Sequence, residues 1–397
     1  MRSYGPRCTT LQWGDISYSE AIVSVQKLCP NISTKQIAES LRDLMIKIFE
    51  DQVVAENGTA DFELESITEV LDLSNIASDI SQMVSSLRKL ERRQVIFVPI
   101  EGLTVKVNSL EVGTVTFYPR SDASELNQVL KDIKEQYGEV TTSLNTDLKN
   151  ATCYTRVEAV GDNEFVRNDA IQRTKKAIHI LNLYLSSSRH QPQWASIHIS
   201  RIIVNRMLPD NEHKNDGMGF NQSYPDERPL EIDWKKENSL TQMGLKTMNT
   251  HFQSQNDTDI AKRIRQAVTW YSKAVDTDSP EEKFVNLAIA LESLIIGNEG
   301  KEPFATTGSI NQKIGERVAF LLGDNFDSRV SLEKKAKELY GLRSAIVHSG
   351  ESVTKENLAE MDKLVERVIL AFLKHEFNDW SKFLEWVAHE RYNKVAS

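Results

Sequence analysis

Arg343 and His348 stand five residues apart in ELYGLRSAIVHSG (338–350), a stretch with helical apolar spacing that stops at Gly350. Histidine exchanges a proton near neutral pH, and arginine carries a fixed charge on a planar fork suited to phosphoryl oxygens. RNA supplies its own nucleophile, because the ribose 2′-OH lies beside the phosphorus. One proton carrier and one fixed cation therefore make a minimal kit for cutting RNA without a metal. Five helical residues give about 7.5 Å of rise and roughly 140° of rotation, so the pair flanks one edge of the helix. Ser344 and Tyr340 share a row with His348, and Ser344 is spaced to hydrogen-bond it directly. By spacing alone, RxxxxH equally fits an ordinary helix, with Arg343 in a surface ion pair and His348 complementing the C-terminal dipole.

Other chemistries leave no trace. The chain has no GxGxxG after a strand, no GxxxxGK[ST], no HExxH and no GxSxG. Its 8 histidines are dispersed and no Cys/His cluster exists, so neither metal nor cofactor is expected. Cys8, Cys29 and Cys153 form no CxxC and read as reduced thiols of a cytoplasmic protein. The net charge of −9 provides no overall basic field for nucleic acid, though it permits a local basic patch. MRSYGPRCTTLQWGDIS lacks an apolar core of signal-peptide length. The most apolar helical run, FVNLAIALESLII, is too short to span a membrane and contains Glu292. No membrane contact is expected.

With 397 residues, 40% hydrophobic and 26% charged, the chain is long enough for two or three globular domains. Residues 1–92 read as helical. Ser33 is the expected cap of ISTKQIAESLRDLMIKIFEDQ, and DLSNIASDISQMVSSLRKLERR ends in Arg88, Lys89, Arg92 and Arg93, a basic helix end. Residues 93–208 read as α+β. QVIFVPI, LTVKV, GTVTFY, CYTRVEAV and WASIHISRIIVN are strand-like. Helices are predicted over 122–136 and from Asp162 or Asn163 as cap. Residues 209–257, rich in Gly, Pro, Asn and Asp at their start, read as a loop and linker with at most a little strand. Residues 258–397 read as a bundle of five or six helices. Ile260, Ile264, Ala267, Val268 and Tyr271 form one stripe, and Ser279–Pro280 opens the next helix. The predicted fold class is mainly α: a C-terminal helical bundle preceded by an α+β N-terminal region.

Four segments in order carry a resemblance. AVTWYSKAV, KFVNLAIALESLIIG, ERVAFLLG and LYGLRSAIVHSG together resemble the Apea-like branch of the HEPN ribonuclease superfamily, over about 258–375. The last segment is similar to that family's Arg–x4–6–His signature, with Ser344 as the polar residue after the arginine. The resemblance implies a helical bundle that forms a homodimer with two Arg/His motifs facing each other. It implies Arg343 and His348 as the catalytic pair of a metal-independent endoribonuclease, with Ser344 in support. Glu292 would orient Arg343 through an ion pair, or else serve as a surface carboxylate or partner of Arg317. Tyr340 and Trp270 read as packing residues that border the site. The implied setting is a toxic effector in bacterial anti-phage defence or abortive infection, with RNA as substrate, transfer RNA among the candidates. A trigger or regulatory protein would act at the N-terminal region, where the Arg88–Arg93 cluster and the 209–229 loop are the surfaces to test. The alternatives are a non-catalytic HEPN-like module that binds a nucleotide or a protein partner, and a regulator whose activity resides in a partner chain.

Overall fold

The computed structural model describes residues 12–13, 16–48, 73–122, 124–137, 151–185, 197–199, 204–207, 230–253, 257–297 and 308–392. The chain opens with β1 (Gln12–Trp13), β2 (Ile16–Ser17), α1 (Tyr18–Leu28), α2 (Thr34–Ile48) and α3 (Leu73–Arg88). Four strands follow: β3 (Arg92–Glu101), β4 (Leu103–Val105), β5 (Leu110–Val112) and β6 (Val115–Pro119). Next are a 3-10 turn (Arg120–Asp122), α4 (Ser124–Tyr137), β7 (Cys153–Gly161), α5 (Asn163–Tyr184), β8 (His198–Ile199) and β9 (Val204–Met207). After β10 (Leu230–Ile232) the described chain is helical: α6 (Trp234–Gln242), α7 (Leu245–Phe252), α8 (Asp259–Val275), α9 (Pro280–Ile295), α10 (Ile310–Leu322), α11 (Phe326–Ser349), α12 (Lys355–Lys374) and α13 (Trp380–Tyr392). The fold is mainly α with an α+β region. Among the described residues no helix is long and apolar enough to cross a membrane.

The chain divides into two compact units. The first comprises 1–96, 157–170 and 204–218; the second comprises 97–156, 171–203 and 219–397. In the first, Val25, Ile37, Leu41, Met83 and Leu87 from the first three helices bury one common core with Cys29, which follows α1. Ser33 caps α2 as predicted, its Oγ accepting from the Gln36 amide at 3.3 Å. The same hydroxyl donates to Asp162 at 2.8 Å, and Asp162 caps α5 by accepting from the Phe165 amide at 2.7 Å. One carboxylate thus fixes two helix starts. The basic run does not form one helix end. Arg88 closes α3 and donates to the Leu28 carbonyl, whereas Arg92 and Arg93 open β3, where Arg93 pairs with Glu158 at 2.6 Å. The strand begins at Arg92 because the continuous buried run that follows Arg93 belongs to a sheet.

One sheet has the strand order β5-β6-β7-β3-β8, with β9 pairing β3 off that path. Strand β6 lies antiparallel to β5 and β7, with Tyr118 opposite Tyr154 and their rings stacked at 5.6 Å. Strand β4 pairs in parallel with β10. The amide of Asn249, on α7, donates to the Glu111 carbonyl at 3.1 Å and accepts from the Gly113 amide at 2.7 Å, alongside β5.

The expectation of a loop over 209–257 fails from residue 230 onward, where β10, α6 and α7 form. Leu240, Leu245, Met248 and Phe252 are buried, and Asp233 caps α6 by accepting from the Lys236 amide at 2.9 Å. Many Asn, Gln and Thr residues between those apolar positions hid the helical period. Residues 208–229, which include the expected loop, lie outside the described residues. The predicted strand WASIHISRIIVN is described only at β8 and β9.

The predicted C-terminal helices are α8 to α13. Helix α8 packs on α9, α10 on α11, and α12 on α9. The Ile260–Tyr271 stripe is buried, and the Tyr271 hydroxyl donates to Asp362 on α12 at 2.6 Å. Ser279 caps α9, with Pro280 in the first turn, where its missing amide costs no hydrogen bond. Cys29 and Cys153 are free and buried, and burial pushes the Cys153 thiol up; Cys8 lies outside the described residues.

Candidate functional site

Helix α11 carries the Arg343/His348 motif, and both of its ends are fixed locally. Asn325 and Ser328 cap its start reciprocally, at 2.9 and 3.1 Å. Its end is set by Gly350, which adopts φ 65°, with its amide donating to the Ile346 carbonyl at 3.1 Å. A Cβ at Gly350 would meet nothing within 4 Å, so the left-handed backbone, not crowding, favours glycine there. This stop leaves His348 in the last turn.

Along α11, Tyr340 is buried at 8% exposure, Arg343 is half-buried, and Ser344 and His348 are exposed. The Tyr340 hydroxyl donates to the Glu292 carboxylate on α9 at 2.8 Å. Burial, then this hydrogen bond and the Glu292 charge, push the phenol up to about 12, while the Arg343 charge pulls the other way.

Two expectations are corrected here. Among the described residues Glu292 forms no salt bridge with Arg343 or with Arg317; it accepts a hydrogen bond from Tyr340. Arg317 is fully buried on α10 and donates to the Ile295 carbonyl at 2.5 Å. The physical reason is the level of each group along the helices. Tyr340, one turn before Arg343, stands opposite Glu292 and takes its carboxylate. Tyr340 is accordingly a hydrogen-bonding residue as well as a packing one. Nor does Ser344 hydrogen-bond His348: among the described residues neither side chain makes a hydrogen bond or ion pair. Trp270 is half-buried, with the Lys273 ammonium 4.0 Å from its ring.

Arg343 itself makes no salt bridge or side-chain hydrogen bond among the described residues, and its Nε is buried with no hydrogen-bond partner. A half-buried guanidinium lacking a counter-charge is unusual, because burial of an unpaired cation is costly. Chemically, the strip offers a cation with open donors and an accessible imidazole on one helix. Among the described residues no three His, Cys, Asp or Glu side chains are grouped so as to hold a metal.

The signal that could have found the Tyr340–Glu292 bond is Glu292 itself. A lone carboxylate inside ALESLI needs a donor from a neighbouring helix. No protein-family model, curated protein or solved structure matches the chain. The fold and the local chemistry therefore carry the functional reading.

Proposed function

We propose that the chain is a HEPN-like, metal-independent endoribonuclease whose reacting groups are Arg343 and His348. The observation that carries this reading is that Arg343 is half-buried, its Nε without a hydrogen-bond partner, and makes no salt bridge among the described residues. Tyr340, one turn before it, bonds the Glu292 carboxylate. A guanidinium so held can bind a scissile phosphate and stabilise charge on its oxygens. His348, exposed in the last turn, moves the protons: it takes one from the 2′-OH or gives one to the leaving 5′-oxygen. The 2′-oxygen bonds to phosphorus as the 5′-oxygen leaves, giving a 2′,3′-cyclic phosphate and a 5′-OH. Two copies of the strip supply a base and an acid together. Gly341, Ser344 and Val347, all exposed on α11, give this face an uncharged surface compatible with such a homodimer. The proposed setting is toxicity in anti-phage defence, with RNA as substrate.

The acidic balance, −9 overall, favours a second reading: a non-catalytic module of the same fold that binds a nucleotide or a protein partner. Cleavage of total RNA and transfer RNA in EDTA separates the two. Arg343→Ala and His348→Ala should each lower cleavage by about a hundredfold or more. Overexpression should harm cells, and His348→Ala should relieve that harm. Cutting that both variants retain, or that EDTA abolishes, defeats the proposed mechanism.

A further inference from the structure

A second cationic place lies away from α11, in a cleft of about 770 Å³ at one end of the sheet. Its polar lining is Thr104, Lys106, Asn108, Arg120, Ser121 and Thr152; the remainder is aliphatic, and no carboxylate is among the described lining residues. Strand ends bring these residues together. Lys106 directly follows β4 and is anchored by its amide on the Ile232 carbonyl at 2.8 Å. Arg120 directly follows β6, and Thr152 directly precedes β7. The register Pro119↔Cys153 sets these two side by side. Thr152 donates its hydroxyl to the Leu103 carbonyl and its amide to the Ile100 carbonyl at 3.0 Å, so the cleft wall is fixed by backbone bonds.

We propose that this cleft binds a small phosphate-bearing ligand. Each cation keeps donors to spare. The Lys106 ammonium contacts Glu231 at 2.6 Å in a pair whose members are both half exposed, and such pairs hold weakly. Arg120 commits Nη1 to the Asn127 side chain at 3.3 Å, which leaves the other guanidinium donors for an anion. A planar fork and an ammonium lining one cleft with the Thr104 and Ser121 hydroxyls match phosphoryl oxygens better than a single carboxylate. The cleft has the volume of small-ligand sites. In a chain of net charge −9 the attraction is local, so it selects for an anion that enters this cleft. None of these residues belongs to the helical bundle, and the inference stands independently of RNA cleavage.

Calorimetric titration of the full chain with inorganic tripolyphosphate and with ATP, supported by ³¹P line broadening, tests the cleft. Saturable one-site binding is expected, weakened roughly tenfold to a hundredfold by Arg120→Gln and by Lys106→Gln. Both side chains reach solvent, so melting curves of the variants should match the parent. Equal affinity for the two probes assigns a free polyphosphate; tighter ATP assigns a nucleotide. The proposal falls if neither probe binds at millimolar concentration, or if both variants bind as well as the parent. It also falls if a short single-stranded RNA binds through Arg120 while neither small probe does.

Discussion

Arg317 and Arg343 sit on successive helices of one bundle, and the chain treats them in opposite ways. Arg317 is fully buried, donates to the Ile295 carbonyl, and lies 5.8 Å from the Trp380 ring and 5.6 Å from the Phe383 ring. Its charge is spread over a carbonyl dipole and two π-faces, and it ties α10 to the end of α9 and to α13. Arg343 is half-buried and has no salt bridge among the described residues, while Tyr340, one turn before it, bonds Glu292. Arginine inside a helical bundle is thus not one kind of residue. Fully buried against a carbonyl and two rings it is a structural rivet; half-buried and without a salt bridge among the described residues it keeps charge available to an anion.

That contrast can be broken most directly by stability. Arg317→Ala should cost about 3 kcal/mol or more, through the cavity and the stranded Ile295 carbonyl, read as a lower denaturant midpoint. Arg343→Ala should cost about 1 kcal/mol or less. Equal losses would make both arginines structural and remove the ground for a reactive Arg343.

Tyr340→Phe sharpens the comparison. It removes the donor to Glu292, and it should lower stability by about 1 kcal/mol near neutral pH. The pH dependence has a definite sign. The folded phenol titrates at about 12, above its ordinary value of 10.0. Between those values the folded state retains a proton that the unfolded state has lost. The advantage of the parent over Tyr340→Phe is therefore complete below pH 10 and disappears as pH rises toward 12. Urea titrations at pH 7, 9 and 11 follow it, and a constant difference at all three would contradict the Tyr340–Glu292 bond.

The smallest effect is expected at Gly350. Gly350→Ala should cost about 1 kcal/mol because alanine resists φ 65°. Gly350→Asn should cost less, since asparagine tolerates the left-handed region. Identical thermal midpoints for both variants and the parent would show that α11 ends without need of this conformation.

Much of this was legible from residue types alone. Ser33, Asp162, Ser279 and Gly350 announce helix boundaries because each solves a local problem of unpaired amides or backbone handedness. The Ile260–Tyr271 stripe shows its buried face by period. Contacts between distant segments were not legible. The Tyr340–Glu292 bond depends on how α9 and α11 align, and spacing within either helix says nothing about that. The cleft between Lys106 and Arg120 depends on which strands end side by side. Helices α6 and α7 were hidden by polar composition, their few buried residues being Leu240, Leu245, Met248 and Phe252.

The Asn249 amide beside β5 has a consequence for assembly. By bonding the Glu111 carbonyl and the Gly113 amide at once, it presents the strand with the donor and acceptor that a neighbouring peptide would offer. Exposed strand edges recruit other chains and seed aggregation. Here one side chain from α7 fills that vacancy, so β5 is closed to an added strand. Replacing Asn249 would reopen it, and the protein would then risk growing by its sheet.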